Sequence, residues 1–579
     1  MKFCKVSDII DWQDVDFQST ASLLRLSDKS RKMWEFIQVY RGLEHLGVLN
    51  PEAKGLGLGV GTEPLIYAFT NVCKEITATD LYDSQTWTTA AVSLNDVYAK
   101  SFLPYRQDRL IVRNMSMTDI EYPDESFDFV WSCCAIEHVN NFRELHRVYQ
   151  EIHRVLKPGG IAALTTEFNA TNLNSYEPNM LFTDQYWIEQ WFTGGNPVVQ
   201  GLELLDHPDL SITPLPANEP LPRSQPPISS IQIYAYDIII NSLALFVRKN
   251  EDFSPPYCED WLPNFWKDYL AACDKYREGN LSEAEALLKQ VLKNTLEPRL
   301  RVKAISRIAD TLNAQSKLQE LVELCKESII YCEDSEDTDH LINLAHYCKQ
   351  ANLLKEAAFL YEKVANLPGS HIDSILYSLI ANAICFELQG KYQEALELIA
   401  KAEQKLLPGF SADLRHEIYF RRGSCYENLG KNETAAKFYL LAMNLCEKDS
   451  KFYENCHLRL SSCTSFPDGD QCWVKPVNFM RTYFKEGDKV IAPIEFGNKF
   501  TGIYPYSSSM EEVNNWKWAV IHKGRIEQID KALLQYINEE FIPVFANEVF
   551  VVFSSYRQIP SVDRTSPDVM YFTERLRSL

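Results

Sequence analysis

The stretch AKGLGLGVGTEPLIYAF, residues 53–69, decides the fold of the N-terminal part of the chain. Four glycines alternate with other residues up to Gly61, and an apolar run with helical spacing follows. A strand, a glycine turn and a helix in this order allow a backbone to approach a nucleotide-like ligand closely. The stretch therefore predicts a strand–turn–helix unit whose glycine turn lies against a ligand.

The following segments repeat the alternation of strands and helices. A second predicted strand, residues 75–79, ends at Asp80, about 20 residues after the turn, where a carboxylate can accept hydrogen bonds from ribose hydroxyls. The run SFDFVWSCCAI, residues 126–136, is apolar almost throughout, as expected for a parallel strand buried on both faces. An amphipathic helix ending at Pro158 and a strand over 161–168 come next. This order predicts a doubly wound, Rossmann-like α/β sheet.

Four landmarks in this region together resemble a known family. They are Gly59-x-Gly61, Asp80, FDFVWSCCAIEHV (127–139) and RVLKPGG (154–160). In this order they resemble class I S-adenosylmethionine-dependent methyltransferases of the small-molecule type called methyltransferase 11, over about residues 35–248. The resemblance implies a methyltransferase domain over 1–250, with N-terminal helices in 1–50, an enzyme of class EC 2.1.1.-, and S-adenosylmethionine as cofactor.

The resemblance also implies a set of cofactor-binding residues. Carried over by position, they are Gly59, Gly61, Glu63, Asp80, Ser116, Met117 and Cys133. The two glycines would lie under the methionine part and Asp80 would bind the ribose. Ser116 and Met117 stand where the family has its adenine contacts, and Cys133 ends the strand that faces the methionine side.

The chain departs from the family pattern at three positions of this region. Gly57 stands where the loop often begins with an acidic residue, and Glu63 replaces the last loop glycine. Glu63 could receive the cofactor's amino group, or lie at the helix start, where negative charge is favoured. Ser116 replaces the acidic residue beside adenine. A site that has lost cofactor binding therefore remains an alternative.

The acceptor side is predicted after the third and fourth core strands. His138 could take a proton from an acceptor hydroxyl, although the family often has Glu-His here as a structural element. Glu167 and Asn169 follow the next strand and are predicted to line the acceptor site, Glu167 as a second catalytic candidate and Asn169 as a substrate-binding residue. We expect O-methylation of a sugar, glycan or secondary metabolite. N- or C-methylation of a small molecule or protein, and a scaffold with a weakened site, remain open.

A proline-rich segment interrupts the end of this domain. Residues 207–230 carry seven of the 27 prolines and lie between two predicted final strands. Proline cannot pair within a central strand, so we expect a surface excursion outside the core, either a lid over the acceptor or a passive loop. The two final strands are expected to form an antiparallel pair. Residues 1–250 should then fold and bind the cofactor without the rest of the chain.

From residue 260 to 465 the sequence repeats. The small or apolar marker positions, spaced 37, 36, 38 and 40 residues apart, are Ala284, Leu321, Ala357, Ala395 and Ala435. A period of this size resembles the tetratricopeptide repeat, in which helix pairs stack into a solenoid with a concave groove. The array is expected to dock an acceptor or a protein partner, or to act as a spacer between the two ends.

Residues 470–579 return to alternating patterns. Strands are predicted at DKVIAPIEF (488–496), WKWAVIHK (516–523) and FANEVFVVFS (545–554), with one helix over 525–541. The segment resembles the small α/β domain that precedes FkbM-type methyltransferase domains in glycan-related proteins.

The composition limits the classes of partner that we expect for this protein. The formal net charge of −21 repels phosphate backbones, so nucleic acid is not expected as a partner. No signal-peptide pattern and no membrane span are evident, and the fifteen cysteines are scattered, with no C-x-x-C pair. These features predict a cytoplasmic protein with reduced thiols and no metal site.

Overall fold

The computed structural model describes residues 1–82, 93–171, 174–178, 180–222, 230–235, 238–250, 252–253, 256–333, 335–368, 370–406, 412–508 and 515–578. The chain divides into two compact units, residues 1–356 with 363–374, and residues 357–362 with 375–579. Among the described residues, no helix combines the length and the apolar character needed to cross a membrane.

The described part of the first unit contains a ten-stranded sheet. Its strands are β1 (Lys5–Val6), β2 (Lys54–Leu58), β3 (Glu75–Asp80), β4 (Leu110–Asn114), β5 (Phe127–Cys133), β6 (Leu156–Asn169), β7 (Leu202–Leu204), β8 (Leu221–Pro222), β9 (Ile233–Ala235) and β10 (Ile238–Lys249). The order is β4-β3-β2-β5-β6-β10-β9-β8, and β1 and β7 also pair with β10.

The pairing of these strands matches the predicted sheet. Strands β2 to β6 are parallel to one another, whereas β10 runs antiparallel to both β6 and β7. The strand order reverses direction between β2 and β5, and open α/β sheets bind ligands outside the carboxyl ends of the strands at such a point. The Rossmann-like fold is confirmed, and the predicted antiparallel pair of final strands is β7 and β10.

Helices cover this sheet. They are α1 (Val15–Leu23), α2 (Arg31–His45), α3 (Pro64–Thr70), α4 (Leu94–Ala99), α5 (Phe142–Val155) and α6 (Gln185–Ile188). Pro64 begins α3, where its missing N–H would have no helical partner anyway. Phe69 of α3 packs edge-on against Trp131 of β5, with 5.1 Å between ring centroids, in a core that also contains Phe129 and Phe246.

The proline-rich segment is attached to the N-terminus of the chain. Asn218 is buried, and its Nδ2 donates to Oδ1 of Asp8 (2.7 Å), while the N–H of Thr213 donates to Oδ2 of the same carboxylate (2.7 Å). The segment then forms the edge strand β8, a place where Pro222 is tolerated. Residues 223–229 lie outside the described part. The sequence pattern indicated an excursion but not this anchoring.

In the described residues between 264 and 483, twelve helices follow. They are α7 (Asn264–Arg277), α8 (Leu281–Asn294), α9 (Pro298–Ala314), α10 (Leu318–Cys332), α11 (Thr338–Gln350), α12 (Leu354–Asn366), α13 (Ile372–Leu388), α14 (Tyr392–Lys405), α15 (Ala412–Asn428), α16 (Asn432–Met443), α17 (Lys451–Cys463) and α18 (Gln471–Tyr483). The first five belong to the first unit, and α13 to α18 lie in the second apart from the first residues of α13.

The sequence repeat corresponds to one local structure. Each marker residue is the fourth residue of an even-numbered helix from α8 to α16 and is buried. Two residues before each of these helices the backbone turns through positive φ, at Gly279, Ser316, Asn352, Gly390 and Gly430. The left-handed residue ends one helix and the next begins at once, which is a common helix C-terminal motif. The predicted helix pairs are therefore present, and their assignment to the tetratricopeptide class stays a prediction.

The C-terminal part carries a second sheet. Its elements are β11 (Lys489–Ile491), β12 (Ile503–Tyr504), β13 (Trp516–His522), α19 (Lys531–Glu540), β14 (Ile542–Ala546), β15 (Phe550–Ser554) and α20 (Pro567–Ser578). The strand order is β12-β11-β13-β15-β14.

The prediction of one strand over 545–554 is wrong. Asn547 follows β14 and its Oδ1 accepts from the N–H groups of Val549 and Phe550, so the chain reverses and β15 pairs antiparallel with β14. The predicted helix over 525–541 is likewise shorter, because Asp530 caps α19 at the N–H groups of the first turn. A short 3₁₀ helix precedes that cap.

The last helices and this sheet share one core. Trp473 and Met480 of α18 lie in the same apolar cluster as Trp518 of β13, Phe550 of β15 and Leu440 of α16. The C-terminal sheet is therefore packed directly on the end of the helical array within the second unit.

Candidate active site

The glycine turn after β2 passes against the end of β5. Gly59 has φ +65° and Gly61 has φ +47°, conformations that glycine adopts without strain. A Cβ on Gly59 would lie 2.5 Å from the Cβ of Ala135 and 3.4 Å from Cε of Met117. Only a residue without a side chain lets the turn approach this closely, which explains the glycine at this position.

Asp80 ends β3 beside this turn. Its Oδ2 accepts from the N–H of Gly61 (2.9 Å) and its Oδ1 accepts from the N–H of Leu81 (2.7 Å). The residue is 8% exposed, and this burial raises the pKa of the carboxyl above its ordinary value. Two of the residues named from the sequence, Gly61 and Asp80, are thus in direct contact at the switch point.

Glu63 immediately precedes α3 and faces the interior. Its Oε1 accepts from Nε1 of Trp131 (2.5 Å), and it makes no side-chain capping bond to the helix. Burial raises the pKa of Glu63 to about 8, although Lys32 and Trp131 act in the opposite direction. The carboxyl that replaces the last loop glycine therefore lies between the turn and β5.

Ser116 and Met117 follow β4 on the other side of the turn. The hydroxyl of Ser116 is 2.8 Å from Oγ1 of Thr118 and also accepts from the N–H of Thr118 (3.2 Å). Met117 reaches the glycine turn through its Cε. Met117 is thus near Gly59, and the Ser116 hydroxyl is engaged within its own turn.

Cys133 ends β5, and its carbonyl oxygen accepts from Nζ of Lys32 (2.6 Å). The thiol is buried, which raises its pKa well above the ordinary value. The next residue, Cys134, has φ +48°, so the chain turns sharply as it leaves the strand. The end of β5 is thus covered by a lysine from the N-terminal helix α2.

The start of α2 supplies three site residues that the sequence did not reveal. Nη2 of Arg31 lies 2.6 Å from Oε1 of Glu167, and Lys32 pairs with Glu35 (2.9 Å). Glu35 is fully buried and also accepts from Oγ of Ser242 (2.6 Å). Burial alone would raise the pKa of Glu35, but Lys32 and Arg31 more than offset it and lower the pKa. In the sequence, only their charge near the start of a helix marks these three residues.

The ends of β5 and β6 bring the predicted acceptor-side residues together. His138 lies half-buried in a short 3₁₀ helix after β5, next to the buried Glu137. Oε1 of Glu137 accepts from the N–H of Glu167 (3.1 Å), and burial raises the pKa of Glu137. Asn169, at the end of β6, is buried, and its Oδ1 accepts from the N–H of Thr171 (2.9 Å).

Comparison with known families identifies this region. A family model described as a methyltransferase domain matches residues 56–164. The chain contains a methyltransferase domain. The matched residues run from β2 to β6 and include the glycine turn, Asp80 and His138.

Solved structures of methyltransferases show likeness over about a quarter of the chain. One was assigned as a sarcosine dimethylglycine methyltransferase from Galdieria sulphuraria (27% identity, 24% of this chain, 46% of that chain, TM-score 0.20). Another is an S-adenosylmethionine-dependent methyltransferase from Mesorhizobium loti (19% identity, 23% and 54% covered, TM-score 0.18). A third is phosphoethanolamine N-methyltransferase 2 from Haemonchus contortus (22% identity, 29% and 37% covered, TM-score 0.21). This chain spans about half the length of the first two of these structures. No curated protein matches the chain.

The cofactor of such a methyltransferase domain is S-adenosylmethionine, and the residues present fit it. Asp80 offers a buried carboxylate at the end of β3, and Gly59 lets the backbone of the turn lie directly against Ala135 after β5. The charged Lys32 at the end of β5 adds a cation on the side of the sheet where the carboxyl ends of the strands lie.

Proposed function

We propose that the protein transfers a methyl group from S-adenosylmethionine to a hydroxyl of a sugar, glycan or secondary metabolite. The observation that carries the proposal is the contact between the buried Asp80 carboxylate and the N–H of Gly61, at the switch point of a methyltransferase domain. The bound cofactor supplies an electrophilic methyl group. The protein then has to align donor and acceptor and accept the proton that the hydroxyl loses.

On the cofactor side, Asp80 would accept hydrogen bonds from the ribose hydroxyls. The backbone at Gly59 and Gly61 would lie under the methionine part, with Glu63 and Cys133 on the same side. Ser116 and Met117 would border the adenine. The engaged hydroxyl of Ser116 favours backbone recognition of adenine rather than a side-chain hydrogen bond at that position.

On the acceptor side, we assign the proton-accepting role to His138, which is half-buried and follows β5. Glu167 is paired with Arg31, so its negative charge is already compensated and it is better suited to orient a hydroxyl than to take its proton. Asn169 would bind the acceptor through its amide.

The helical repeats and the C-terminal sheet would serve acceptor recognition. We propose that the helix pairs over 260–465 are tetratricopeptide-type repeats, supported by the recurrent left-handed residue before each even-numbered helix. We propose for 470–579 a relation to the small domain that precedes FkbM-type methyltransferases.

The proposal is tested by transfer of label from S-adenosyl-[methyl-³H]methionine to an extract of the organism that makes the protein. We expect the label in a non-basic fraction. It should remain bound after treatment with alkali, because a methyl ether is stable to alkali. Label retained as an amine would instead show N-methylation. Absence of label, together with weak or absent cofactor binding, would favour the scaffold alternative. Asp80→Ala, which should abolish incorporation, is compared with Asp108→Ala at an exposed carboxylate.

A further inference from the structure

A segment of the methyltransferase domain returns from the end of β6 to the start of α6. We call residues 174–178 and 180–183 the return segment. The N–H of Leu181 donates to the carbonyl oxygen of Glu137 (2.9 Å), and the N–H of Thr183 donates to that of Glu167 (3.0 Å). The return segment is therefore hydrogen-bonded to Glu167 of the predicted acceptor side and to Glu137, the neighbour of His138.

The side chain of Glu177 connects the return segment to the helical repeats. Oε1 of Glu177 is 2.6 Å from Nζ of Lys303 on α9, and Oε2 is 3.6 Å from Nη2 of Arg307. Tyr269 of α7 donates its hydroxyl to the same carboxylate (3.2 Å), and Nε2 of His340 on α11 is 3.4 Å away. Three helices of the array thus converge on one carboxylate.

The cluster is buried and its charges are compensated. The side chain of Lys303 is 4% exposed and also pairs with Asp337, 2.9 Å away. Burial alone would raise the pKa of Glu177, but Lys303, with His340 and Arg307, more than offsets it and holds the pKa far below its ordinary value. Removing one partner of such a buried pair leaves an uncompensated charge and is strongly destabilising.

The neighbouring Tyr176 anchors the return segment a second time. Its ring packs edge-on against Phe142 of α5 (5.2 Å between centroids) and Trp266 of α7 (5.1 Å). Its hydroxyl donates to Oδ2 of Asp184, the residue that caps α6. Consecutive side chains of the return segment are therefore held by helices of the repeat array, one through charge and one through aromatic packing.

We propose that Glu177 and Lys303 are positioning residues, through which the first helical repeats hold the acceptor side of the methyltransferase domain in its working arrangement. The inference rests on the proposed function. It makes helices α7 to α11 a structural part of the acceptor site, in contrast to an arm that only docks a partner. It also implies that a fragment ending at residue 250 lacks the partners of Glu177.

The test uses the full chain with Glu177→Gln, Lys303→Met and the double variant. Hydrogen exchange of the Leu181 and Thr183 amides should accelerate roughly tenfold or more in each single variant, because each breaks the buried ion pair that ties the return segment to α9. The double variant should be no worse than either single one. Lys303→Arg should retain slow exchange. Lys326→Met, at an exposed ion pair on α10, is the matched control and should change nothing.

Two further readouts separate positioning from general loss of structure. The affinity for S-adenosylhomocysteine should stay within about twofold, whereas incorporation of label at limiting amounts of the acceptor-containing fraction should fall roughly tenfold. Unchanged exchange in folded Lys303→Met, unchanged incorporation, or an equal loss of cofactor affinity would each overturn the inference. If the wild-type protein neither binds cofactor nor transfers label, the proposed function fails, and the exchange rates still decide whether the repeats anchor the return segment.

Discussion

Gly59→Ala tests the close approach of the glycine turn to the end of β5. At φ +65°, a Cβ costs about 1–2 kcal/mol in the left-handed region. The new methyl group would also lie 2.5 Å from the Cβ of Ala135, and such overpacking costs about 1–3 kcal/mol more. We therefore expect a local destabilisation of about 2–5 kcal/mol and a weaker affinity for S-adenosylhomocysteine.

Gly47→Ala is the matched control for this variant. Gly47 has φ +69°, but a Cβ there would meet no atom within 4 Å. Gly47→Ala carries the conformational penalty without the overlap. The difference in destabilisation between the two variants therefore measures the cost of the overlap with Ala135. Native-state hydrogen exchange of the β2 and β5 amides gives the local free energies of opening, and calorimetry gives the affinities. Equal free-energy changes in both variants, with unchanged cofactor affinity, would refute the reasoning.

Three other predictions address separate parts of the chain. Glu63 has a folded-state pKa of about 8 against an ordinary 4.5, so its contribution to stability is full below about pH 4.5 and is lost as the pH rises through about 8. Glu63→Gln should flatten this part of the dependence of the melting temperature on pH, and an unchanged slope would contradict the assignment. Asn218→Ala removes the amide that binds Asp8 and should cost about 1–3 kcal/mol locally, seen as faster proteolysis within 209–222, whereas the exposed Asn196→Ala should not change the rate. Trp518→Phe removes the indole N–H that donates to the buried Asp488 (2.8 Å) and should lower the melting temperature of the second unit without altering cofactor affinity. Trp516→Phe is its control, because among the described residues the N–H of Trp516 has no partner, and equal effects of both variants would argue against the hydrogen bond.

Features written in short stretches of sequence could be predicted. The glycine turn, Asp80 and the apolar run of β5 lie within units of local pattern, and together they predicted the order of the core strands. The helix pairs were predictable for the same reason, since each repeat carries its own marker residue and its own turn.

Features that depend on distant partners could not be predicted. Arg31 meets Glu167 from 136 residues away, and Glu177 meets Lys303 from 126 residues away. Nothing in the sequence distinguishes these buried charged residues from charged residues that are exposed to solvent. The hairpin after β14 was missed for a different reason, because its turn is made by Asn547 without the glycine or proline that usually marks a reversal.

The most direct measurement is calorimetric titration of the full chain with S-adenosylhomocysteine. The account predicts binding in the micromolar range, weakened about ten- to hundredfold in Asp80→Ala, because charged hydrogen bonds are worth about 1.5–3 kcal/mol. Asp80→Asn, which keeps the shape and one acceptor oxygen, should lie between the two, and Asp108→Ala should bind like the wild type. Absence of binding by the folded wild-type protein, or equal affinity in folded Asp80→Ala, would contradict the central claim that this sheet holds S-adenosylmethionine at Asp80.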